Sequence, residues 1–480
     1  MIEPMLKHRI AVRTRRVAAG VCWSLALVAL ATGRSAAAPA KKVAKGNATA
    51  KTEDKPSASS APARTASGAD AAHRNAGKSG KARKARGQEA PAAPVEYTSK
   101  NFLLHTDLSP AAAEELLDRL ETMIELISKY WGRPLSGTIE CHVVNDVDKW
   151  KGVEFEPTGL ASITNGAGVT VGRTISQGDA FIARAVVYAV ADRGTPQHEA
   201  VHAYCIQTFG RTGPVWYSEG MAEMGQYWRD KDPAVHAHAA VIDYLHSAEP
   251  KPLNDIVNGR ELSGDSWQNY AWRWALCHLL SNNTNYATRF RPLGMGLLTR
   301  ADVSFEQIYG DMAREINFEY GLFLQQLDEG YRADLCSWDW SARWKKVRTS
   351  ATTAAAIDAG HGWQPSKLTL VKGDEYEYSA TGKWSIGPGG GSVSADGGDN
   401  AAGQLVGVVF DDYELGEPFA LGTYGSFTAP ADGDLFLRCQ DKWTELADNK
   451  GKISVRLKLK DKGPPLPPPK DKAESEKQSP

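Results

Sequence analysis

Several features of common protein classes are missing from this sequence. No apolar run reaches the roughly 18 residues that a membrane-spanning helix needs, so we do not expect an integral membrane protein. Cysteine is rare, with 6 in 480 residues, and no two cysteines form a close Cys-x-x-Cys pair. The spacing therefore implies no disulfide framework. There is no internal repeat, and the length alone predicts two or more folded units.

An excess of positive charge is also missing from most of the chain. The first 40 residues carry a net charge of +5 and residues 41–90 carry +8, whereas the whole chain carries −1. The remaining 390 residues therefore carry −14. Because a dedicated nucleic-acid binder normally needs a basic footprint, this acidic main body excludes that class.

The first 40 residues have the organisation of a secretory signal. A basic stretch ends at Arg15-Arg16, an apolar core follows at 21–31, and Ala38-Pro39-Ala40 fits a small-residue cleavage site. We therefore expect a signal peptide over 1–40 and export to the periplasm or the cell exterior, by the general or the twin-arginine route. An uncleaved membrane anchor is the alternative. Cleavage would leave five cysteines, so at least one thiol would stay free or pair between molecules.

Composition divides the rest of the chain into four segments. Residues 41–93 contain almost no large apolar side chain, which predicts a disordered Ala/Lys/Ser-rich linker. Residues 95–345 mix helix and strand patterns and predict an α+β domain. Residues 361–460 hold short alternating strands between Gly, Pro and Asp clusters, which predicts a separate β-sandwich. Residues 461–480 are Pro-rich and charged, which predicts a disordered tail.

Local patterns predict the main elements of the α+β domain. Ser109 and the proline after it predict the cap and first turn of a helix, whose apolar stripe continues to Tyr130. Strands are predicted over 97–105 and 138–144, and 183–190 reads as a strand or a helix. A helix over 267–281 is apolar nearly all round, so it should be buried. Helical patterning continues to about residue 344.

The strongest chemical signal is the segment 195–202, Thr-Pro-Gln-His-Glu-Ala-Val-His. Thr195 predicts a helix cap, so His198 and His202 should stand one turn apart on one face. Two neutral imidazoles so placed can ligate one zinc ion. Glu199 lies about 100° round the helix, where its carboxylate can act as a base on a water molecule at the metal. Ordinary helix-face residues are the alternative.

A second acidic segment follows over 214–223. Ser218 predicts the cap of another helix, with Glu219 in its first turn. Sixteen residues separate His202 from Glu219, which is enough to turn the chain back antiparallel. The carboxylate could then complete a His₂Glu zinc site that leaves one position open for water. Glu223 lies one turn further on, where it could accept a hydrogen bond from a ligand imidazole; a plain surface charge is the alternative.

These two segments resemble those of the gluzincin metallopeptidases. The matching elements are His198-Glu199-x-x-His202 and Trp216-x-x-Glu219-Gly220-x-Ala222. Residues 97 to about 344 are similar to the peptidase MA-like family of exported bacterial proteins. The resemblance implies a zincin-like fold and a zinc-dependent endo- or aminopeptidase. A tyrosine stabilises the oxyanion in many gluzincins, and here Tyr270 would take that role; a buried aromatic residue is the alternative.

Residues 361–460 resemble the galactophilic bacterial calcium lectins. The matching segments are Gly362-Trp363-Gln364, Val371-Lys372-Gly373-Asp374 and the run from Ala380 to Pro388. The resemblance implies a Ca²⁺ ion held by the side chains of Asp441, Asp448 and Asn449 and by the carbonyls of Ile386 and Glu445. A hairpin turn at 448–451 in a purely structural sandwich is the alternative.

The sequence thus predicts an α+β, zincin-like metallopeptidase domain followed by a lectin-like β-sandwich. The expected partner is a peptide or protein substrate, with cell-envelope carbohydrate as a further candidate and no nucleic acid. The alternative function is a non-catalytic envelope- or carbohydrate-binding protein whose zinc site is structural or vestigial.

Overall fold

The computed structural model describes residues 94–469 except 178–179, 230 and 260–266, and it describes no side chains over 174–182. The signal peptide predicted over 1–40, the linker predicted over 41–93, and residues 470–480 of the predicted tail lie outside the described residues. The described chain is a mixture of helices and several β-sheets.

The N-terminal part of the described chain contains one five-stranded sheet. Its strands are β1 (Val95–Thr98), β2 (Phe102–Thr106), β3 (Ile139–Val144), β4 (Gly168–Gln177) and β5 (Ala180–Val190). The strand order is β1-β2-β3-β5-β4. The central strands β2, β3 and β5 run parallel, while β1 and β4 pair antiparallel with β2 and β5. Strand β4 is therefore an edge of this sheet.

Ten α-helices surround this sheet or follow it in the described chain. They are α1 (Pro110–Trp131), α2 (Pro157–Thr164), α3 (Thr195–Phe209), α4 (Val215–Tyr227), α5 (Ala239–Ser247), α6 (Leu253–Asn258), α7 (Trp267–Asn282), α8 (Ala287–Leu298), α9 (Phe305–Tyr309) and α10 (Ala313–Gln326). Helix α3 packs on β5 and β4, and α4 lies between α3 and α7. This layering places the segment 195–202 between the sheet and the helices.

Helix α1 shows why the local predictions succeed where capping and periodicity agree. The Ser109 hydroxyl accepts a hydrogen bond from the Ala112 amide, as the predicted cap requires. The apolar stripe faces the core, with Leu120 and Ile127 fully buried. Gly132 ends the helix at a φ of +68°, a conformation that glycine adopts without strain. The helix predicted over 267–281 is also present, as the buried α7.

Two predictions for this part are wrong. The segment 97–105 is not one strand but the antiparallel pair β1 and β2, with a turn in which Glu121 accepts hydrogen bonds from Ser99 and Asn101. Helical structure ends at Gln326 rather than near residue 344, and the chain between Leu327 and Trp344 is turns and extended segments.

The C-terminal part of the described chain consists of two antiparallel-rich sheets. Its strands are β6 (Lys345–Lys346), β7 (Thr352–Asp358), β8 (Gln364–Leu370), β9 (Glu375–Ser385), β10 (Ser392–Val393), β11 (Leu405–Asp411), β12 (Glu414–Leu415), β13 (Phe419–Ala420), β14 (Tyr424–Thr428), β15 (Gly433–Cys439) and β16 (Lys450–Leu459). One sheet has the order β10-β9-β16-β7, and the other has the order β12-β11-β15-β8-β6. Ile453 of the first sheet and Leu437 of the second belong to one buried core.

Two details differ from the pattern predicted for this part. Its strands begin at Lys345 and Thr352, earlier than position 361, and β7 pairs with β16 along seven residue pairs. The predicted disorder of the tail does not extend to its first residues. Leu466 is buried, and the Pro467 carbonyl accepts a hydrogen bond from Ser379 of β9.

The two parts meet through a layer of aromatic rings. Trp338, which follows α10, packs on Phe436 of β15 with ring centroids 3.9 Å apart. Phe318 of α10 contacts Phe410 of β11 at 5.0 Å.

This junction also contains Glu319, which is 4% exposed. Its carboxylate accepts hydrogen bonds from five donors, which are Asn283 Nδ2, Asn285 Nδ2, Tyr286 Oη, Trp338 N and Trp340 Nε1.

None of the described helices is long and apolar enough to cross a membrane. All five cysteines in the described chain are free thiols, four of them buried.

We predict that Glu319→Ala will destabilise the fold by about 3–5 kcal/mol, because it leaves several buried donors without an acceptor. Urea unfolding followed by circular dichroism measures this change. The exposed Asn317→Ala, on the same helix, is the control and should change stability by less than about 0.5 kcal/mol. Equal effects of the two substitutions would show that Glu319 does not hold the junction together.

Candidate metal centre

Helices α3 and α4 run antiparallel and bring the two predicted segments together. Gly210 ends α3 at a φ of +76°, and four residues lead to Val215 at the start of α4. The first three turns of α3 are buried, including His198, Glu199 and His202. This burial is unusual for three ionisable side chains, so their partners must come from neighbouring elements.

Both predicted helix caps are wrong. Thr195 is the first residue of α3 rather than its cap, and the Asp192 carboxylate accepts hydrogen bonds from the amides of Gly194 and Thr195 at 2.9 Å and 2.6 Å. An acid upstream of the helix thus does the capping. Helix α4 begins at Val215 without a side-chain cap, so Ser218 lies inside it and Glu219 lies past its first turn.

The three predicted metal ligands converge on one point. His198 Nε2 and His202 Nε2 are 3.2 Å apart. Glu219 Oε2 lies 3.3 Å from His198 Nε2 and 3.5 Å from His202 Nε2. The two rings are inclined by 73°, so their in-plane lone pairs can meet at one position.

This triangle fits the size of a zinc ion. Zinc bonds nitrogen and oxygen at about 2.0–2.2 Å, so two ligand atoms of a tetrahedral site lie about 3.3–3.5 Å apart. Glu219 Oε2 is buried and has no hydrogen-bond donor among the described residues. Two imidazole nitrogens and one carboxylate oxygen are also the donor set that zinc accepts. The residues present therefore fit the ion.

Electrostatics describe the same arrangement. Burial favours the neutral imidazole, yet the carboxylates of Glu219 and Glu223 outweigh it and raise the pKa of His198 well above its ordinary value. Burial would likewise raise the pKa of Glu219, but the neighbouring His202 and His198 hold it far below its usual range. The carboxylates of Glu219 and Glu223 thus stabilise a positive charge at the imidazoles.

Glu199 is held with one oxygen occupied and one oxygen free. The Thr170 hydroxyl of β4 lies 2.9 Å from Glu199 Oε2 and 2.8 Å from the Glu199 carbonyl oxygen. Glu199 Oε1 is buried and has no hydrogen-bond partner among the described residues. Burial raises the pKa of Glu199, and the adjacent histidines offset this only in part. A Cβ at Gly168 would lie 2.7 Å from Glu199 Cγ, so glycine is required for this approach of β4.

The outer nitrogens of both histidines face polar side chains of α4. His198 Nδ1 lies 3.0 Å from Glu223 Oε1, and Gln226 donates to the other oxygen of Glu223 at 2.7 Å. His202 Nδ1 lies 3.2 Å from Ser218 Oγ. These contacts leave the Nε2 atoms of the rings for the metal. The position predicted for Glu223 agrees with this geometry, whereas the contact of Ser218 was not predicted.

Tyr270 lies beside the triad on α7. Its ring is 4% exposed, and its centroid is 5.9 Å from that of His198. Close packing of α7 on α4 makes this possible, since a Cβ at Gly220 would lie 2.7 Å from the Arg273 carbonyl oxygen. The structure thus brings Tyr270 to the centre, beside a ligand.

The candidate calcium residues are brought only partly together. Asn449 donates from Nδ2 to Asp441 Oδ2 at 2.8 Å and accepts at Oδ1 from the Gly387 amide at 3.0 Å. Asp448 Oδ1 is buried without a partner among the described residues. An ion at this position would require the Asn449 amide to turn, because its nitrogen rather than its oxygen faces Asp441.

Another group of ligand-type residues, His105, Glu140 and His142, lies on the outer face of the sheet. The two imidazole rings are stacked at 15°, so their in-plane lone pairs run nearly parallel instead of converging. Arg184 already binds the Glu140 carboxylate. This geometry is that of neighbouring side chains on paired strands, and no motif in the sequence predicts it.

Comparison with known proteins adds little to these observations. No family model matches the chain, and no curated protein matches it. Among solved structures, the chain is similar to one described as "EclA N-terminal domain; PllA-like lectin", with 19% identity and a TM-score of 0.19. The similarity covers 22% of this chain and 96% of that one. This TM-score is too low for the likeness to carry an argument.

We predict that the protein binds one zinc ion per chain at this centre. Glu219→Ala should lose the zinc, because two imidazoles alone hold the ion poorly, whereas Glu223→Gln should weaken zinc binding by about 10–100-fold. Elemental analysis after dialysis against zinc buffers measures both. The exposed Glu306→Ala is the control, and zinc retained at full affinity in Glu219→Ala would contradict the assignment.

The calcium expectation has a separate test. If Asp441, Asp448 and Asn449 bind Ca²⁺, excess calcium should raise the melting temperature of the C-terminal part, since a ligand that binds only the folded state stabilises it. Scanning calorimetry of the zinc-loaded chain, with calcium and with EGTA, measures the shift, and Asp441→Asn should abolish it. The same melting temperature in both buffers would favour a purely structural role for these residues.

Proposed function

We propose that the chain is an exported zinc metallopeptidase. The observation that carries this proposal is the free Glu199 Oε1 atom, held beside three side chains whose ligand atoms converge. A metal site with an adjacent, buried and unpaired carboxylate oxygen is suited to hydrolysis, because the carboxylate can take a proton from water. A site that only stabilises the fold has no need of such a group.

Each residue of the centre then has a role. His198, His202 and Glu219 would hold the zinc ion, which polarises the scissile carbonyl and makes a water molecule more acidic when it is bound. Glu199 takes the proton at Oε1 and delivers it to the leaving amine, while Thr170 keeps the other oxygen in place. Tyr270, beside His198, is the candidate for stabilising the oxyanion.

The edge strand supports a peptide as the substrate. Strand β4 pairs with β5 on one side, and the described chain places no strand on its other side. An extended peptide can add to such an edge through main-chain hydrogen bonds. Thr170 belongs to β4 and contacts Glu199, so a peptide on this edge would pass close to the base.

The remaining expectations extend this proposal. The zincin-like fold of the N-terminal part, the lectin-like β-sandwich of the C-terminal part, export to the periplasm or cell exterior, and recognition of envelope carbohydrate with Ca²⁺ are proposed on the sequence resemblance. The alternative is a non-catalytic envelope-binding protein that keeps zinc as a structural ion. The two functions differ in one testable respect. Only a peptidase can lose peptide cleavage through a substitution that leaves its zinc bound.

We predict that Glu199→Gln will keep zinc near one per chain and lose activity on unstructured peptides by about 10²–10⁴-fold, the usual contribution of a general base. Peptide cleavage followed by mass spectrometry, with zinc content on the same sample, measures both. Glu306→Ala is the control for activity. If the wild-type chain binds zinc and cleaves no peptide, the envelope-binding alternative is supported; full activity in Glu199→Gln would refute the mechanism.

A further inference from the structure

The described chain also contains a cavity of about 720 Å³. The ends of α1 and α4, the segment that follows α4 and the C-terminal half of α7 surround it. None of the residues assigned to the metal centre lines this cavity. Its volume is within the range of small-molecule sites, about 300–1,000 Å³.

Aromatic rings form the inner wall of the cavity. Tyr227 packs edge-on against Trp274 with centroids 5.5 Å apart, and Tyr130 contacts Trp228 at 5.8 Å. Leu126 and Met224 continue the apolar surface. A ligand in this space would therefore place an apolar body against the rings.

Three polar atoms of the wall are buried and form no hydrogen bond with any described residue. They are Tyr130 Oη, Trp274 Nε1 and His278 Nε2, and the last two belong to side chains that are only 1% and 5% exposed. Buried polar groups are normally paired, so each such atom needs an explanation. Burial, with a further contribution from His236, lowers the pKa of His278 to about 4, so the ring is neutral at pH 7.

Exposed lining residues give the mouth of the cavity a positive charge. Among the described lining residues, the exposed cations are Lys129, Arg229, Lys231 and Arg291, and the one acid is Asp232. That acid already pairs with a histidine of the same mouth at 2.7 Å. Because residues 91–480 carry a net charge of −14, this concentration of cations is unlike the rest of the chain.

We propose that this cavity binds an amphipathic organic anion, with its carboxylate at the cationic mouth and its apolar body along the aromatic wall. Cations and rings together select this chemistry. A free inorganic anion would leave the rings uncovered, and a neutral apolar molecule would gain no charge attraction at the mouth. The cavity shares no lining residue with the metal centre, and the two sites touch where Tyr227 of the cavity wall contacts Glu223.

Isothermal titration calorimetry of the zinc-loaded full chain tests the proposal with four small probes. Octanoate should bind at one site per chain and at least tenfold more tightly than 1-octanol, which lacks the charge. Acetate, which lacks the apolar body, should give no measurable heat of binding. Comparing the affinity of octanoate with that of 3-phenylpropionate shows whether the site prefers an aliphatic or an aromatic ligand. Tighter binding of either compound supports the site.

Variants place the binding in this cavity. Lys129→Glu should weaken octanoate binding at least fivefold, and Ala234→Trp, which fills the space from the lining, should abolish it. Lys100→Glu, an equal charge change at an exposed position outside the lining, should leave it unchanged. Circular dichroism checks that each variant is folded. No saturable octanoate binding, or binding that survives Ala234→Trp in a folded chain, would overturn the proposal.

Discussion

Two imidazoles and two carboxylates are buried together between α3 and α4, and the negative carboxylates compensate positive charge at the imidazoles. His198 is central to this arrangement because Glu219 lies at one of its nitrogens and Glu223 at the other. Removing such groups from water costs several kcal/mol for each ion unless a partner is close. The antiparallel packing of the two helices supplies those partners, and Gly168 and Gly220 allow β4 and α7 to approach closely.

The sequence predicts the centre well where one helix sets the geometry. His198 and His202 are one turn apart, so periodicity alone places them on one face. Glu219 requires only that the chain turn back after Gly210, and the structure has that turn. The partners of Glu199 and His202 were not predictable, since Thr170 comes from a strand 29 residues earlier and Ser218 carried a helix-cap pattern. Long-range packing, which has no local pattern, decides both contacts.

The errors in the fold have a similar origin. Helical structure was predicted to about residue 344, yet the rings of Trp338 and Trp344 pack on Phe436 of the C-terminal sheets instead. Tertiary contacts thus account for a pattern that looked like local periodicity. The strands missed in the C-terminal part include β10, β12 and β13, which are two residues long and too short to show alternation. Alternation and the Gly, Pro and Asp clusters that bound the segments together predict longer strands such as β11, β15 and β16.

The aromatic junction ties the solubility of each part to the presence of the other. Trp338 and Phe318 cover one side of the contact, and Phe410 and Phe436 cover the other. A chain cut between the two parts would leave a contiguous apolar face on each fragment, and such faces promote self-association. Proteolytic release of the C-terminal part would therefore yield fragments that are prone to aggregate. We expect the cell to synthesise and degrade the two parts together as one chain.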